Sequence, residues 1–114
     1  MNAAVRAVVR KGIYEGLDVV GIHRGYEGLL NEELRPLLRR DVGGIVNRGG
    51  TLLKTARCPE FMDKVYQKKA AEVLKKYDID ALVVIGGDGS MAGAQALAEL
   101  GVVTMTIPGT IDND

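Results

Sequence analysis

The segment "ALVVIGGDGSMAGAQALAEL", residues 81–100, constrains the possible fold more than any other part of the chain. Its apolar start, Leu82 to Ile85, predicts a buried strand, and the glycine-rich "GGDGS" leads into a helix of small residues from about Ser90. The apolar run Val102 to Ile107 predicts another strand after that helix. A strand, a helix and a further strand in this order predict a crossover between two parallel strands.

The rest of the chain also alternates between helical and extended patterns. Four apolar residues at helical spacing predict a first helix: Val5, Val8, Val9 and Ile13. Asn2 is its expected N-cap and Gly16 its expected stop. The run Leu17–His23 predicts a strand buried on both faces, followed by a turn at "RGYEG". Residues 24–57 are interrupted by Pro36, and we expect short helices there. A further helix is predicted by residues that share one face: Met62, Tyr66, Ala70, Val73 and Tyr77.

These elements predict an α/β fold: an open, parallel, Rossmann-like sheet with helices on both faces, in three layers. Such a unit normally starts with a strand that enters its first helix through a glycine-rich turn, whereas this chain starts at that helix. At the other end, a loop follows the last predicted strand and nothing comes after it. We therefore expect a fold that is truncated at both ends.

The composition excludes several classes of protein. Fifteen basic and 15 acidic residues balance, so the net charge does not predict binding to nucleic acid or to an anionic membrane. No apolar stretch reaches the roughly 18 residues of a membrane span, and no signal peptide is recognisable. A single cysteine, Cys58, rules out an internal disulfide. We expect a soluble, cytoplasmic protein.

Two acidic turns carry the candidate chemistry. Gly86, Gly87 and Gly89 let the backbone approach an anion at a helix N-terminus, where phosphate is the natural ligand. Loops at the carboxyl ends of parallel strands share one edge of the sheet. We therefore expect Asp88 and Asp112 to converge at that edge.

Carboxylates beside a phosphate would repel it unless a cation intervenes, which predicts Mg²⁺ at Asp88. Asp112 can then accept the proton of a substrate hydroxyl that attacks a terminal phosphate. Arg57 is a candidate to stabilise charge on the transferring phosphoryl group. Each feature has a common structural explanation as well: glycine for tight packing, aspartate for a turn, arginine as a solvated charge. Their joint occurrence favours the functional interpretation.

Four segments resemble the bacterial-type ATP-dependent 6-phosphofructokinases, in this order and at these intervals: "MNAAVRAVVRKGIYEGLDVVGIHRGYEGL", "NRGGTLLKTARCPEF", "ALVVIGGDGS" and "PGTIDND". The resemblance covers essentially all 114 residues. Family members are much longer, begin with a strand and a "GGD-x-PG" loop before the position of "MNAA", and continue past "TIDND". The resemblance therefore implies that residues 1–114 are part of an N-terminal ATP-binding domain.

The resemblance also implies an activity: phosphoryl transfer from Mg-ATP to the 1-hydroxyl of fructose 6-phosphate, giving fructose 1,6-bisphosphate in glycolysis. It makes Asp112 the catalytic base and places Arg57 near the transferring phosphoryl group. It implies that the residues in contact with the sugar are Thr110, Ile111, Asp112 and Asp114. It implies that the residues in contact with ATP are Arg57, Cys58, Gly87, Asp88, Gly89 and Ser90, and that Asp88 binds Mg²⁺. Pyrophosphate-using members tend to carry aspartate in place of Gly89 and lysine in place of Gly109, so the two glycines favour ATP.

Arg6 and Arg10 lie one helical turn apart, so both guanidinium groups can reach one anion, although a solvated helix face also explains this spacing. By resemblance, these two arginines and Arg39 match an effector pocket at a subunit interface, which takes ADP or phosphoenolpyruvate. The resemblance also implies that the parent protein is an allosteric homotetramer. Gly44 departs from the family pattern, in which an acidic residue is usual at that position. Met62 departs as well, since some relatives carry an arginine there.

Two alternatives remain open. Lipid and NAD kinases share a "GGDG" phosphate loop, but "PGTIDND" after the next strand is not expected of them. Alternatively, this chain by itself only binds nucleotide or assembles with other chains, because the first glycine loop of the family and the residues that grip the sugar phosphate are not in it. We expect the 114-residue chain alone to be inactive. His23 is assigned a place at the end of a strand and no catalytic role.

Overall fold

The computed structural model describes residues 2–43, residue 53 and residues 58–108, apart from the side chains of Arg39 and Val42. The chain divides into two compact units, Met1–Ala56 and Arg57–Asp114. The first unit contains five described elements, which are α1 (Asn2–Tyr14), β1 (Val20–Ile22), α2 (Gly25–Leu30), β2 (Leu34–Pro36) and a 3₁₀ turn (Arg39–Val42). The second contains a 3₁₀ turn (Pro59–Met62), α3 (Lys64–Lys76), β3 (Leu82–Gly86), α4 (Asp88–Glu99) and β4 (Thr104–Pro108).

Helix α1 is amphipathic and forms where predicted, although Asn2, the expected N-cap, is its first residue. Val5 and Val9, one turn apart, are buried, whereas Lys11 and Glu15 form an exposed ion pair of 2.8 Å. The buried side faces the 3₁₀ turn Arg39–Val42, against which α1 packs. The helix therefore supplies much of the small core of the first unit.

Strand β1 differs from its prediction. It is shorter than the run Leu17–His23, and it pairs antiparallel with β2, so that Val20 lies opposite Pro36. The residues of β2 were expected to form a short helix. Pro36, which cannot donate a backbone hydrogen bond, ends this strand on an exposed position, and proline is tolerated at the end of such a strand.

Helix α2 replaces the turn that "RGYEG" was expected to form. It begins at Gly25 and carries the buried residues Gly28, Leu29 and Leu30. Apolar burial of these residues outweighs the low helix propensity of two glycines in six residues. Local composition therefore misled the prediction, because glycine here serves close packing.

The second unit contains the predicted crossover. Strands β3 and β4 are parallel and pair in register from Leu82 opposite Thr104 to Gly86 opposite Pro108. Helix α4 connects them, packs on both, and also contacts α3. The α/β class with parallel strands is thus confirmed, although β4 begins two residues later than predicted.

Helix α3 forms as predicted, but three of the five residues assigned to its shared face do not lie inward. Met62, Tyr66 and Tyr77 are 64%, 39% and 42% exposed. The buried side consists instead of Gln67, Ala70, Val73 and Leu74. Long aromatic side chains at the helix ends stay at the surface, since the inner stripe follows the 3- and 4-residue spacing of the smaller residues.

All four helices that the structure describes end in the same way. Each has a C′ residue of positive φ and the paired backbone bonds of a Schellman motif. In α3, Asp78 N–H donates to Lys75 O at 3.1 Å and Ile79 N–H donates to Leu74 O at 2.9 Å. The C′ residues are Gly16, Glu32, Asp78 and Gly101. The predicted stop at Gly16 is confirmed. Among the described residues, no helix is long and apolar enough to cross a membrane.

Candidate functional site at the β3–α4 junction

The strand–helix junction is tighter than the sequence predicted. β3 ends at Gly86, Gly87 is the N-cap, and α4 begins at Asp88 rather than near Ser90. Only one residue therefore separates the strand from the helix. The acidic residue of "GGDGS" occupies the first turn of α4, not a preceding loop.

The N-terminus of α4 is suited to an anion. Gly87 has no side chain that could cap the helix, and the helical bonds start with Met91 N–H to Gly87 O at 3.0 Å. The amide groups of Asp88 and Gly89 precede that bond, and amides at this position of a helix point out of its end. They supply the backbone donors and the positive end of the helix dipole that a phosphate requires.

The glycines of the junction have different structural roles. A β-carbon at Gly86 would overlap the hydroxyl of Ser90 and lie 2.8 Å from Ser90 Cβ, so the first turn of the helix packs directly on the end of the strand. A β-carbon at Gly89 would meet no atom within 4 Å. Gly89 is exposed and its φ is not positive, so the described fold does not itself require glycine there.

Asp88 is exposed in the first turn of α4, the position where a carboxylate interacts favourably with the helix dipole. An ordinary structural role therefore explains its position. One exposed carboxylate beside a phosphate site suits Mg²⁺, which keeps several waters and binds substrate phosphates together with one or two carboxylates. Among the described residues, no group of three histidine, cysteine, aspartate or glutamate side chains forms a metal cluster.

The strand register places the carboxyl ends of β3 and β4 at the same edge of the sheet. Because Gly86 pairs with Pro108 in parallel strands, β3 and β4 end level with each other. Adjacent strands lie about 4.8 Å apart. Asp88 thus follows one strand end by two residues, and "GTIDND" follows the other. The predicted residues of that segment, Thr110, Ile111, Asp112 and Asp114, lie outside the described residues, as do Gly109 and Gly44.

Cys58 is described and Arg57 is not. Cys58 is half-buried and precedes the 3₁₀ turn Pro59–Met62, in which Phe61 N–H donates to Cys58 O at 3.0 Å. Phe61 is buried, and its carbonyl accepts a bond of 2.9 Å from the side-chain amide of Gln67 in α3. Sequence reasoning missed Gln67, although a glutamine in an otherwise apolar helical stripe was a usable signal.

The arginines of α1 differ in environment. Arg10 is exposed, whereas Arg6 is half-buried and its Nε is buried with no hydrogen-bond acceptor among the described residues. Arg39 belongs to the 3₁₀ turn that packs against α1, and its side chain is outside the described part. A buried N–H group without an acceptor is costly, so Arg6 is a position where an added anion would be stabilising.

His23 directly follows β1, as predicted. The next residue, Arg24, forms ion pairs with Glu27 in α2 and with Glu33, which precedes β2. Arg24 has a positive φ of 59° and donates from Nε to Glu33 at 3.0 Å and from Nη1 to Glu27 at 2.8 Å. Hydrogen bonding to Arg24 lowers the pKa of Glu33, and the same bond raises the pKa of Arg24. Burial raises the pKa of Tyr26 in α2.

Comparison with known proteins decides the family. The family model described as Phosphofructokinase matches residues 1–114, the whole chain. The chain belongs to the phosphofructokinase family. It is 59% identical over 114 residues to an ATP-dependent 6-phosphofructokinase of Clostridium botulinum, strain Eklund 17B, and 60% identical to one of Paenibacillus macquariensis. Each match covers 100% of this chain and 36% or 35% of the relative, so the chain spans about a third of the length of these phosphofructokinases.

Comparison with solved structures indicates the same family. Phosphofructokinase from Pichia pastoris in the T-state has a TM-score of 0.86 and 38% identity over 96% of this chain, which is 14% of the Pichia chain. The structure from Saccharomyces cerevisiae gives 0.84 and 39%, over 96% of this chain and 18% of that one. The open α/β architecture expected from the sequence is therefore that of the phosphofructokinases.

Proposed function

We propose that residues 1–114 are part of the N-terminal ATP-binding domain of a longer, cytoplasmic phosphofructokinase, which transfers a phosphoryl group from Mg-ATP to the 1-hydroxyl of fructose 6-phosphate. Membership of the family supports the reaction class, since the relatives are named ATP-dependent 6-phosphofructokinases. The observation that carries the proposal is the parallel pairing of Gly86 with Pro108, which lets the two acidic segments leave the sheet at one edge.

In this proposal, the first turn of α4 holds a nucleotide phosphate through the amides that precede the helical hydrogen bonds. Gly87, Gly89 and Ser90 are its contacts there, and Cys58 contacts the nucleotide from the neighbouring turn. Asp88 would hold the Mg²⁺ that accompanies ATP, which neutralises charge on the phosphates when bound. The exposure of Asp88 at the helix end supports this assignment.

Asp112 is proposed as the base that accepts the proton of the sugar 1-hydroxyl as its oxygen attacks the terminal phosphate. Thr110, Ile111 and Asp114 would orient the sugar, and Arg57 would stabilise the transferring phosphoryl group.

Asp112→Asn keeps the size of the side chain and removes the base, so we expect kcat to fall about 10²-fold or more. A coupled assay of fructose 1,6-bisphosphate formation measures this in the complete protein.

A matched control is Asp80→Asn, which removes the charge of an exposed aspartate that precedes β3 at the opposite end of the strand. It should retain the activity of the unaltered protein. A loss of less than about threefold in Asp112→Asn would contradict its role as base. Absence of fructose 6-phosphate phosphorylation by the unaltered protein would contradict the proposed reaction itself.

Gly89 is proposed to select ATP over pyrophosphate. The open space beside it supports this, because the described fold gives glycine no packing reason at this position. Gly89→Asp would place a carboxylate where the inner phosphate of ATP lies, so the kcat/KM for ATP should fall by about 10²-fold. Gly89→Ser, which is small and uncharged, is the control, and an equal loss in both variants would point to size rather than charge.

An allosteric site on α1 is a second proposal. Arg6, Arg10 and Arg39 would bind a phosphate-bearing effector, ADP or phosphoenolpyruvate, at a subunit interface of a homotetramer. The buried Nε of Arg6 without an acceptor supports it. Arg6→Ala should abolish the response of the rate to either effector and leave kcat without effector unchanged, whereas Lys11→Ala on the same helix should respond normally.

A non-catalytic reading is favoured for the 114 residues in isolation. They would bind nucleotide weakly or assemble with other chains, because residues of the longer protein are needed for the sugar phosphate. Calorimetry with Mg-ATP and a turnover assay on the isolated chain test this. Measurable phosphorylation of fructose 6-phosphate by the isolated chain would contradict it.

A further inference from the structure

The side chain of Gln67 is the polar member of the buried stripe of α3. It is 8% exposed and shares that stripe with Ala70, Val73 and Leu74. Burying an amide is favourable only if it is hydrogen-bonded, and an apolar residue would fill the same space at lower cost. The reason for a glutamine at this position must therefore lie in its hydrogen bond.

That bond is to the turn beside the proposed nucleotide contact. Gln67 Nε2 donates to Phe61 O at 2.9 Å, in a buried environment. Phe61 N–H in turn donates to Cys58 O at 3.0 Å. Gln67 is thus connected through the backbone of one residue to Cys58.

The turn between them cannot hold its geometry by itself. It has four residues, Pro59–Met62, and short 3₁₀ helices have poor hydrogen-bond geometry and little intrinsic stability. The turn packs against α3, its residue Phe61 is 2% exposed, and the side-chain amide of Gln67 donates to Phe61 O. Apolar burial is non-directional, so by itself it leaves the turn free to shift along the helix. The directional bond from Gln67 removes that freedom.

We propose that Gln67 is a positioning residue for nucleotide binding, which acts through Phe61 on the backbone at Cys58. The inference depends on the proposed function only in taking Cys58 as an ATP contact. Gln67 touches no substrate itself. Its loss should weaken ATP binding because the turn is no longer held in register with α3, and errors of about 1 Å in positioning are costly to binding and rate.

The test uses Gln67→Met in the complete phosphofructokinase. Methionine has a similar length and fills the space, but it cannot donate to Phe61 O. We expect the KM for ATP and the dissociation constant of Mg-ATP, measured by calorimetry, to rise about fivefold to tenfold, while the KM for fructose 6-phosphate stays within about twofold.

Two controls separate positioning from stability. Asp63 is the N-cap of α3, and its Oδ1 accepts a bond from Val65 N–H at 3.2 Å. Asp63→Ala removes this cap and so destabilises the same helix without removing the Gln67 bond. Lys68→Met introduces the same residue at the adjacent exposed position. Both should bind ATP as the unaltered protein does. Gln67→Asn, which keeps the amide but shortens its reach, is the second variant if Gln67→Met does not fold, and it should show the same selective rise.

The outcomes are distinct. A lower melting temperature in the Gln67 variants with unchanged ATP affinity would overturn the inference, since the bond would then be merely structural. An equal rise in Asp63→Ala would overturn it too. If the unaltered protein binds ATP but does not phosphorylate fructose 6-phosphate, the proposed function fails, and the effect of Gln67 on ATP affinity still decides the inference.

Discussion

At the level of single residues, glycine has two different roles in this chain. A β-carbon at Gly28 would overlap the carbonyl oxygen of His23, so α2 can pack there only with hydrogen at that position. A β-carbon at Gly89 would enter open space. The two positions look alike in the sequence, yet packing requires glycine at Gly28 and not at Gly89.

This contrast predicts opposite effects of one substitution. Gly28→Ala should lower the free energy of unfolding by about 3 kcal/mol, because the clash is with backbone and cannot be relieved by a rotamer change. Gly89→Ala should change it by less than about 0.5 kcal/mol but raise the KM for ATP. Urea denaturation and ATP kinetics on both variants measure this. Equal stability losses would show that Gly89 too is a packing residue.

The Arg24–Glu33 pair predicts a pH dependence at the same scale. Hydrogen bonding to Arg24 lowers the pKa of Glu33 from its ordinary value of 4.5, so the folded state is favoured by the ionised form. The contribution to stability is present above pH 4.5 and is lost as pH falls through the lowered pKa. Glu33→Gln should reduce the acid sensitivity of unfolding, measured by thermal melts across that range. An unchanged pH profile would contradict it.

At the level of elements, the C-termini of the α-helices share one backbone geometry but carry different residues at the C′ position. Gly16 and Gly101 occupy the C′ position of α1 and α4 with φ of 80° and 97°, whereas Asp78 occupies it in α3 with φ of 56°. A side chain in this conformation is strained, and a carboxylate at a helix C-terminus also opposes the helix dipole. α3 is therefore less favourably terminated than α4.

Asp78→Gly should raise the free energy of unfolding by about 0.5–1 kcal/mol, by relieving both effects. Asp78→Asn removes only the charge, and asparagine tolerates this conformation, so it separates the two contributions. Gly101→Ala is the converse change and should be destabilising. Thermal melts of the three variants test the argument, which a destabilised Asp78→Gly protein would refute.

At the level of the whole molecule, the second unit presents a sheet edge. In the described part of the chain, β4 pairs only with β3. Met105 in β4 is 55% exposed, and Val103, which precedes the strand, is 60% exposed. Exposed apolar strands with an open edge pair readily with other chains. The isolated 114-residue chain should therefore associate at increasing concentration.

Met105→Lys should reduce that association, because a charge on an edge strand opposes pairing. Met62→Lys, which changes an exposed methionine outside the sheet, is the control. Sedimentation at several concentrations measures the difference. If both lysine variants associate as the unaltered chain does, the edge of β4 is not the contact.

The sequence by itself determined the elements whose information is local or periodic. The apolar stripe of α1, the stop at Gly16 and the strand–glycine–helix unit around residues 82–99 could be predicted, because spacing and backbone freedom act over a few residues. The family could also be recognised from motif order. This chain spans about a third of the length of the relatives it matches.

Tertiary structure alone decided the rest. Strand β2 pairs antiparallel with β1 despite Pro36, α2 forms despite two glycines, and Gln67 rather than Tyr66 faces the interior. In each case burial or hydrogen bonding in the folded structure outweighs the local preference, since these interactions contribute more than propensity does. The sequence predicted that β3 and β4 are parallel, whereas the register that makes them end level was established only by the structure.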